Sequence, residues 1–376
     1  MKVGIIVGIK TDSISEERYP EWLSDIPQKY VNMSKESWGN TEYGLGSDIG
    51  TAYYIQKFSK HDVDILTKKD ISLKTFNQYD VIVGLYDPYY YSIQTKDSSS
   101  YKKYNSIIQR SSAKYINPLS LQRFILDKKK YMEVLQKHNL PVVRTISFTI
   151  NNTMDSTKIL STIKKQCEEW GSSFFITKPQ PGGFGIGFKK WDIAKLQERS
   201  FNSYISKIMK QVRIEKPLLL VQEFVPEFGL FHEIRTYWLN GTYSHSLGTI
   251  IDPSSIGVSG FEKIKFAYPE NEYDIDEFET YDELPEIIDM KLIHTLKKIG
   301  KQVFPLLPKD KTGVPYLLRI DFGCCMSTKD ICREYFINEI EYIPNIFPEY
   351  NTHIDVLQKV GKALITKINS LKKINE

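Results

Sequence analysis

The sequence predicts a protein of mixed α/β and α+β class, with an α/β unit at the N-terminus followed by two α+β lobes. Its 376 residues are enough for two or three domains with large buried cores. Short β-branched runs surround a helical pattern at the N-terminus, and strands and helices follow in mixed order after Asn117-Pro118. We expect domains at residues 1–115, 116–215 and 216–376.

The N-terminal unit contains three apolar runs typical of buried strands, at residues 2–9, 61–66 and 79–85. Apolar residues at helical spacing predict a helix over residues 46–59. The strand–helix–strand order predicts a parallel sheet covered by helices. Two segments of this unit, residues 10–44 and 86–104, have no readable motif.

Residues 10–44 are polar and aromatic with weak periodicity, and we interpret them as a long loop over a cleft or as an insertion. Residues 86–104 contain six tyrosines. These rings either line a substrate cleft or belong to a partly exposed loop and pack on the edge of the sheet as amphipathic side chains, and we favour the loop.

The rest of the chain is predicted to alternate between helices and strands. Helices are expected at residues 119–138, 155–170, 192–212, 287–303 and 353–371, and strands at 142–148, 174–178, 217–224, 234–239, 242–250, 316–322 and 335–340. Asn240-Gly241 lies between two apolar runs, which is a strong signal for a β-hairpin. Acidic residues 270–286 are expected to form a surface loop.

Charge and cysteine content argue against several function classes. The 50 basic and 46 acidic residues give a net charge of +4, so no nucleic-acid partner is expected. The apolar run at residues 3–9 is too short to span a membrane and lacks the flanks of a signal peptide. The four cysteines lack zinc-site spacing, and we expect a reducing, cytoplasmic setting. The oligomeric state cannot be deduced from these features.

A glycine-rich segment follows the strand predicted at residues 174–178. Lys178 ends that strand, and four glycines follow within nine residues: Gly182, Gly183, Gly185 and Gly187. Glycines let the backbone approach a polyphosphate, and the lysine adds a positive charge. The spacing fits neither a Walker A loop nor a dinucleotide fingerprint, and a flexible turn with an exposed lysine is the alternative.

Two predicted strands near the C-terminus carry acids within apolar runs. Arg319 and Asp321 share a face of the first strand, and Glu339 and Glu341 share a face of the second. Three carboxylates on neighbouring strands repel one another, and a hard divalent cation relieves that repulsion. Magnesium bridging phosphates fits best. The alternative is an outer face on which Arg319 and Lys329 are the partners.

Three further segments contribute weaker signals. Asp127-Lys128 begins a charged run that alone indicates a solvated helix face. The strand that ends before Pro226 leaves backbone groups without ladder partners, which suits the polar edge of adenine. Glu233 and Arg235 share a strand face, and a surface ion pair is the alternative.

Taken in order, these segments resemble the motifs of the ATP-grasp superfamily, and within it D-alanine–D-alanine ligases and ribosomal-protein glutamate ligases, over about residues 115–365. The resemblance implies an ATP-grasp fold with an N-terminal pre-grasp domain, and ATP and Mg²⁺ as cofactors. It assigns phosphate contacts to Lys128, Lys178 and the loop glycines, adenine contacts to Glu223, Phe224 and Val225, and a ribose contact to Glu227. It assigns the transferred phosphate to Arg235, the tetrahedral oxyanion to Arg319, and magnesium to Asp321, Glu339 and Glu341.

The resemblance further implies a carboxylate–amine ligase that forms an acylphosphate on an amino-acid-like or peptide substrate. A small-molecule kinase is the alternative, because inositol-phosphate kinases belong to the same superfamily. Arg319 and the near-neutral charge favour the ligase. A non-catalytic nucleotide-binding protein is the third hypothesis, because Glu341 stands where the family usually has asparagine.

Overall fold

The computed structural model describes residues 1–8, 12–38, 44–86, 89, 92, 97–151, 154–180, 187–211, 217–225, 233–250, 263–268, 290–309, 313–324, 335–348 and 354–372. The surface loop expected at residues 270–286 lies outside these ranges. None of the helices in the described ranges combines the length and the apolar character that crossing a membrane requires.

The N-terminal part contains a four-stranded parallel sheet with the strand order β4-β1-β5-β6. The four strands of this sheet are β1 (Lys2–Ile6), β4 (Asp62–Leu66), β5 (Val81–Gly84) and β6 (Lys114–Ile116). Two short strands, β2 (Ser13–Ile14) and β3 (Leu45–Gly46), form a separate antiparallel pair. The helices of the N-terminal part are α1 (Gln28–Trp38), α2 (Ser47–Phe58), α3 (Leu73–Phe76) and α4 (Ser98–Arg110). The predicted parallel sheet is confirmed.

Two predictions for this part need correction. Helix α1 lies inside residues 10–44, so the long-loop interpretation is wrong for that stretch. Helix α4 was not predicted, and it overlaps the tyrosine-rich segment, so the loop interpretation is wrong for residues 98–104. Tyr86 and Tyr104 are buried and contact each other edge-to-face, which confirms the packing interpretation for these rings.

The central sheet is antiparallel and has the order β7-β10-β8-β9. Its strands are β7 (Thr145–Thr149), β8 (Phe174–Gln180), β9 (Lys189–Asp192) and β10 (Leu218–Glu223). Four helices belong to this stretch of the chain: α5 (Leu119–Leu126), α6 (Lys128–Lys137), α7 (Ser156–Trp170) and α8 (Glu198–Gln211). Helices α7 and α8 pack on the central sheet, whereas the buried apolar residues of α5 and α6 belong to the apolar core of the C-terminal sheet. A helix was predicted over residues 119–138, interrupted only by the charged run at 127–130, and two helices are present, with the break at Asp127. Asp127 separates them, because its side chain accepts a hydrogen bond from the Lys130 N–H at 3.1 Å and caps α6.

The C-terminal sheet is antiparallel and has the order β13-β12-β11-β14-β15. Its strands are β11 (Glu233–Leu239), β12 (Thr242–Ile250), β13 (Lys263–Tyr268), β14 (Leu317–Cys324) and β15 (Tyr335–Glu341), and the helices are α9 (Met290–Val303) and α10 (Val356–Lys372). Asn240 and Gly241 both have positive φ, at 49° and 81°, which confirms the predicted hairpin. Strand β13 was not predicted.

Strand pairing bears on the expected division of the chain. Strand β10 pairs with β7 and β8, although it follows the predicted boundary at residue 215. Strand β6 likewise ends one residue beyond the boundary at residue 115. The three-domain division stays a prediction, and a second boundary after Glu223 would keep the central sheet intact.

The N-terminal part packs directly on the C-terminal lobe. A single apolar core joins β1, α2, β11 and α10, with Val3, Tyr237 and Leu364 among its buried members. The Asp12 carboxylate accepts the backbone N–H groups of Ile346 and Phe347 at 2.6 and 2.9 Å. These contacts fix the segment that follows β15 against the N-terminal part.

Candidate functional site

The site is built on three neighbouring strands of the C-terminal sheet. In the β11–β14 pair Arg235 lies opposite Asp321, and in the β14–β15 pair Asp321 lies opposite Glu339 and Arg319 opposite Glu341. Directly opposed residues in an antiparallel sheet have neighbouring side chains on one face. Strand register therefore brings together all five residues predicted on these strands.

The three predicted metal ligands lie close to one another. Asp321, Glu339 and Glu341 each offer a carboxylate oxygen, and these oxygens all lie within 4.8 Å of one another. Arg319 pairs with two of these acids: it donates to both oxygens of Asp321 at 2.7 Å and lies 3.1 Å from Glu341. Arg319 and Asp321 are buried, so the outer-face alternative is wrong for this pair.

The surroundings favour a cation at this cluster. Burial raises the pKa of Asp321 to about 6, against the opposing effect of Arg319, and burial also raises the pKa of Glu341. Burial raises the pKa of Glu339 as well, but Lys128 outweighs it and the net pKa is lowered. Oxygen ligands on opposite sides of Mg²⁺ are about 4 Å apart, so the donor type and spacing fit this ion.

Two lysines approach the acids, one from a helix that packs on the C-terminal sheet and one from a strand of the central sheet. Lys128 is the first residue of α6, and its ammonium group forms a short ion pair with Glu339. Lys178 lies on β8 and donates to the Asn338 side-chain oxygen at 3.3 Å. Burial of the Lys178 ammonium group, and to a smaller extent the positive charge of Lys128, lowers the pKa of Lys178 to about 8. Both predicted phosphate-binding lysines therefore lie at the carboxylate cluster, Lys128 in direct contact with it and Lys178 beside it through Asn338.

Gln180 links the two lysine-bearing elements and was missed by sequence reasoning. Its side-chain oxygen accepts the Lys129 N–H at 2.8 Å, and its nitrogen donates to Asp127 at 2.7 Å. These bonds tie the end of β8 to the start of α6. The signal available in the sequence was a polar residue at a strand end, which is too common to single out.

The predicted adenine contacts lie at the end of β10. The Glu223 N–H donates to the Arg144 carbonyl at 3.0 Å, and its carboxylate forms a short ion pair with Arg144. The Phe224 ring packs edge-to-face on Phe174 and has the Lys190 ammonium 3.6 Å from its centroid. Val225 is buried. The contacts of Glu223 and Phe224 fix the backbone of this segment.

Several predicted residues fall beyond the described ranges, namely Gly182, Gly183, Gly185 and Glu227. Gly187 is described and has φ of +73°. A Cβ at Gly187 would lie 2.8 Å from Pro179 Cγ, so this position requires glycine for both its backbone angle and its close approach to β8.

Arg235 is buried and pairs with Glu233 on the same strand. Its Nε and Nη2 donate to one Glu233 oxygen at 3.1 and 3.0 Å, and both side chains are 4% exposed. The prediction that Glu233 and Arg235 share a strand face is confirmed. The alternative, an ion pair on the surface, is wrong because both side chains are buried.

No protein-family model matches this sequence, and no curated protein matches it. Solved structures do. D-cycloserine synthetase DcsG has 12% identity and a TM-score of 0.61, with 98% of this chain and 100% of that chain covered. D-alanine–D-alanine ligase from Bacillus anthracis complexed with ATP has 12% identity and a TM-score of 0.57, and both chains are covered completely.

A third structure is the ATP-grasp ligase PsnB complexed with minimal precursor, with 13% identity, a TM-score of 0.52, and 97% of this chain and 99% of that chain covered. The likeness extends over both chains from end to end, and at this identity it concerns the fold. The chain therefore has the ATP-grasp fold.

Proposed function

We propose that this protein is an ATP- and Mg²⁺-dependent carboxylate–amine ligase that acts on an amino-acid-like or peptide substrate. One observation carries the proposal. Lys128 and Lys178 come from outside the C-terminal sheet and reach its cluster of acids, Lys128 through a direct contact with Glu339 and Lys178 through the neighbouring Asn338. Lysines that lie beside clustered carboxylates suit a polyphosphate with its divalent cation.

Each residue has a role in the proposal. Lys128 and Lys178 hold the ATP phosphates, together with backbone N–H groups of the glycine-rich segment. Residues 223–225 hold adenine, and Glu227 holds ribose. Asp321, Glu339 and Glu341 hold Mg²⁺, which would supply charge neutralisation at the phosphates. Most of the catalysis is then positioning and electrostatic stabilisation.

The reaction that follows has two steps. A substrate carboxylate oxygen attacks the terminal phosphorus of ATP, which gives an acylphosphate and ADP. The amine then attacks the acyl carbon, loses a proton, and phosphate leaves with the bridging oxygen. Arg235 accompanies the transferred phosphate in the first step, and Arg319 stabilises the tetrahedral oxyanion in the second.

Arg319 supports a ligase over a kinase. It is a buried guanidinium on the same face as the three carboxylates, within 3.1 Å of two of them. A ligase requires a cation for the oxyanion, whereas phosphate transfer to a hydroxyl forms no oxyanion at carbon. Arg319→Lys, which keeps the charge, is accordingly expected to retain more ligase activity than Arg319→Met.

The test is phosphate release from ATP in the presence of amino-acid and peptide pools, followed by isotope tracing with the active acid. A substrate labelled with ¹⁸O in its carboxylate transfers one labelled oxygen to the released phosphate if an acylphosphate forms. Hydroxylamine should trap the same intermediate as a hydroxamate. A stable phosphorylated product without phosphate release would show a kinase, and no turnover in any pool would favour a binding protein.

A further inference from the structure

Asn338 connects the two halves of the site. Its side-chain oxygen accepts from Lys178 Nζ at 3.3 Å, and its side-chain nitrogen donates to a Glu233 oxygen at 2.7 Å. The other Glu233 oxygen accepts both donors of Arg235, at 3.1 and 3.0 Å. A continuous series of hydrogen bonds thus runs from Lys178 on β8, through β15, to Arg235 on β11.

A β-bulge gives Asn338 this orientation. In the β14–β15 pair the partner of Asp321 is Glu339, whereas the partner of the next residue, Phe322, is Ile337. Asn338 is therefore the extra residue of the bulge. Side chains alternate between faces in a regular strand, and Asn338 would then point away from Glu339. Bulges next to functional sites redirect a side chain, and here the redirected amide of Asn338 reaches Lys178.

The chemistry of the amide matches this position. A side-chain amide both accepts and donates, whereas a carboxylate only accepts and an aliphatic side chain does neither. Lys178 needs an acceptor and Glu233 needs a donor. The Glu233–Arg235 pair is buried, and a buried pair is costly unless its remaining hydrogen-bonding positions are filled. Asn338 satisfies one group from each half at once.

We propose that Asn338 is a positioning residue that sets Lys178 and Arg235 in fixed relation for binding the triphosphate. The inference rests on the proposed function, which assigns both cations to the phosphates of ATP. Asn338 acts through its two neighbours: through Lys178 on the inner phosphates, and through Glu233 and Arg235 on the transferred phosphate.

Calorimetric titration with ATP, ADP and adenosine tests this role. Asn338→Leu removes both bonds, and we expect about tenfold weaker binding of ATP and ADP with unchanged adenosine binding. Asn338→Asp keeps the acceptor for Lys178 but places a carboxylate against Glu233. We expect it to weaken ATP binding while the ADP affinity stays within about twofold of wild type.

A double-mutant cycle and a matched control separate positioning from general stability. If Asn338 acts through Lys178, Asn338→Leu in a Lys178→Met background weakens ADP binding by less than about twofold. The control Gln122→Leu removes another buried amide, which donates to the Asn117 carbonyl at 2.8 Å and lies outside the site. It should lower the melting temperature and leave nucleotide affinity unchanged.

Each outcome bears on the proposal. Fully additive losses in the cycle, equal losses of adenosine and ATP binding, or wild-type ATP affinity in folded Asn338→Leu and Asn338→Asp would overturn the positioning role alone. If the Leu variant fails to fold, the ATP-to-ADP ratio of the Asp variant decides. Wild-type protein that binds no ATP would overturn the proposed function and this inference together.

Discussion

If Lys178 contacts the phosphates as proposed, the affinity for ATP should depend on pH in a calculable way. Burial and the neighbouring Lys128 lower the pKa of Lys178 to about 8, from the ordinary lysine value near 10.5. The side chain is then about nine-tenths protonated at pH 7 and about one-tenth at pH 9. Only the ammonium form attracts phosphate, so ATP affinity should fall about tenfold over this range, which is about 1.4 kcal/mol. A lysine with an ordinary pKa would lose almost nothing.

Calorimetry at pH 7, 8 and 9 measures this directly. Binding to phosphate favours the protonated lysine, so titrations at pH 8.5 in buffers of different ionisation enthalpy should show uptake of about three-quarters of a proton per ATP. Lys178→Met should bind ATP about tenfold or more weakly at pH 7, from the loss of a charge-assisted bond, and should show no such pH dependence.

The exposed neighbour Lys129 provides the control, because Lys129→Met removes a lysine charge from the same region without touching the site. It should reproduce the wild-type pH profile. A wild-type affinity that is flat between pH 7 and pH 9, or an identical slope in Lys178→Met, would refute the reasoning that Lys178 contacts the phosphates.

Three other outcomes are expected. Burial lowers the pKa of His245 to about 3, below the unfolded value of about 6.5, so the unfolded chain binds more protons in that window. The free energy of unfolding should therefore fall by up to about 1.4 kcal/mol per pH unit below pH 6.5, as urea titrations would show, and His245→Phe should remove this contribution. Glu341→Asn should weaken Mg²⁺ binding several-fold in calorimetry, since one negative charge is lost, and unchanged affinity would contradict its role as a ligand. Gly187→Ala should cost about 1–2 kcal/mol, because it combines a φ of +73° with a contact to Pro179, and an unaltered thermal melt would show that the backbone adapts.

Side-chain alternation was the most informative signal in the sequence. Arg319 and Asp321, and likewise Glu339 and Glu341, are two residues apart, and a strand places such residues on one face whatever its surroundings. Whether the two pairs of side chains lie next to each other then depends only on the register between β14 and β15. The proximity of these four side chains could therefore be predicted from the local pattern plus one strand pairing.

The elements that were missed have weaker or conflicting patterns. Helix α4 carries Tyr101, Tyr104, Ile107 and Ile108 at helical spacing, so its periodicity was present but was interpreted as a tyrosine-rich loop. Strand β9 has only four residues, three of them polar or charged, and is defined by its pairing with β8. Pairing partners far apart in sequence cannot be deduced from a short segment.

Contacts between segments that are far apart in sequence could not be predicted either. The bulge at Asn338 interrupts the alternation that the prediction relied on, and nothing in the local sequence announces it. Gln180 reaches α6, about fifty residues away in sequence, and its role follows only from the packing of β8 against that helix. Asn338 and Gln180 are uncharged polar residues close to Glu339 and Lys178. Only the charged residues of these segments have side chains whose chemistry indicates a site.

The charge balance of the site gives Glu341 a specific consequence. Among the described residues, the site contains four cations and four acids: Lys128, Lys178, Arg235 and Arg319, with Glu233, Asp321, Glu339 and Glu341. An asparagine at position 341 would leave one net positive charge to attract the phosphates, and glutamate cancels it. Arg319 in particular is shared between Asp321 and Glu341, so its charge is already compensated. The contacts of individual lysines with phosphate remain, but the balanced groups supply no net attraction for a polyanion, so cations that accompany the nucleotide must supply it. The site is consequently expected to depend more strictly on Mg²⁺ for ATP binding than one with asparagine at this position, and Glu341→Asn should raise the affinity for metal-free ATP while it lowers the affinity for Mg²⁺.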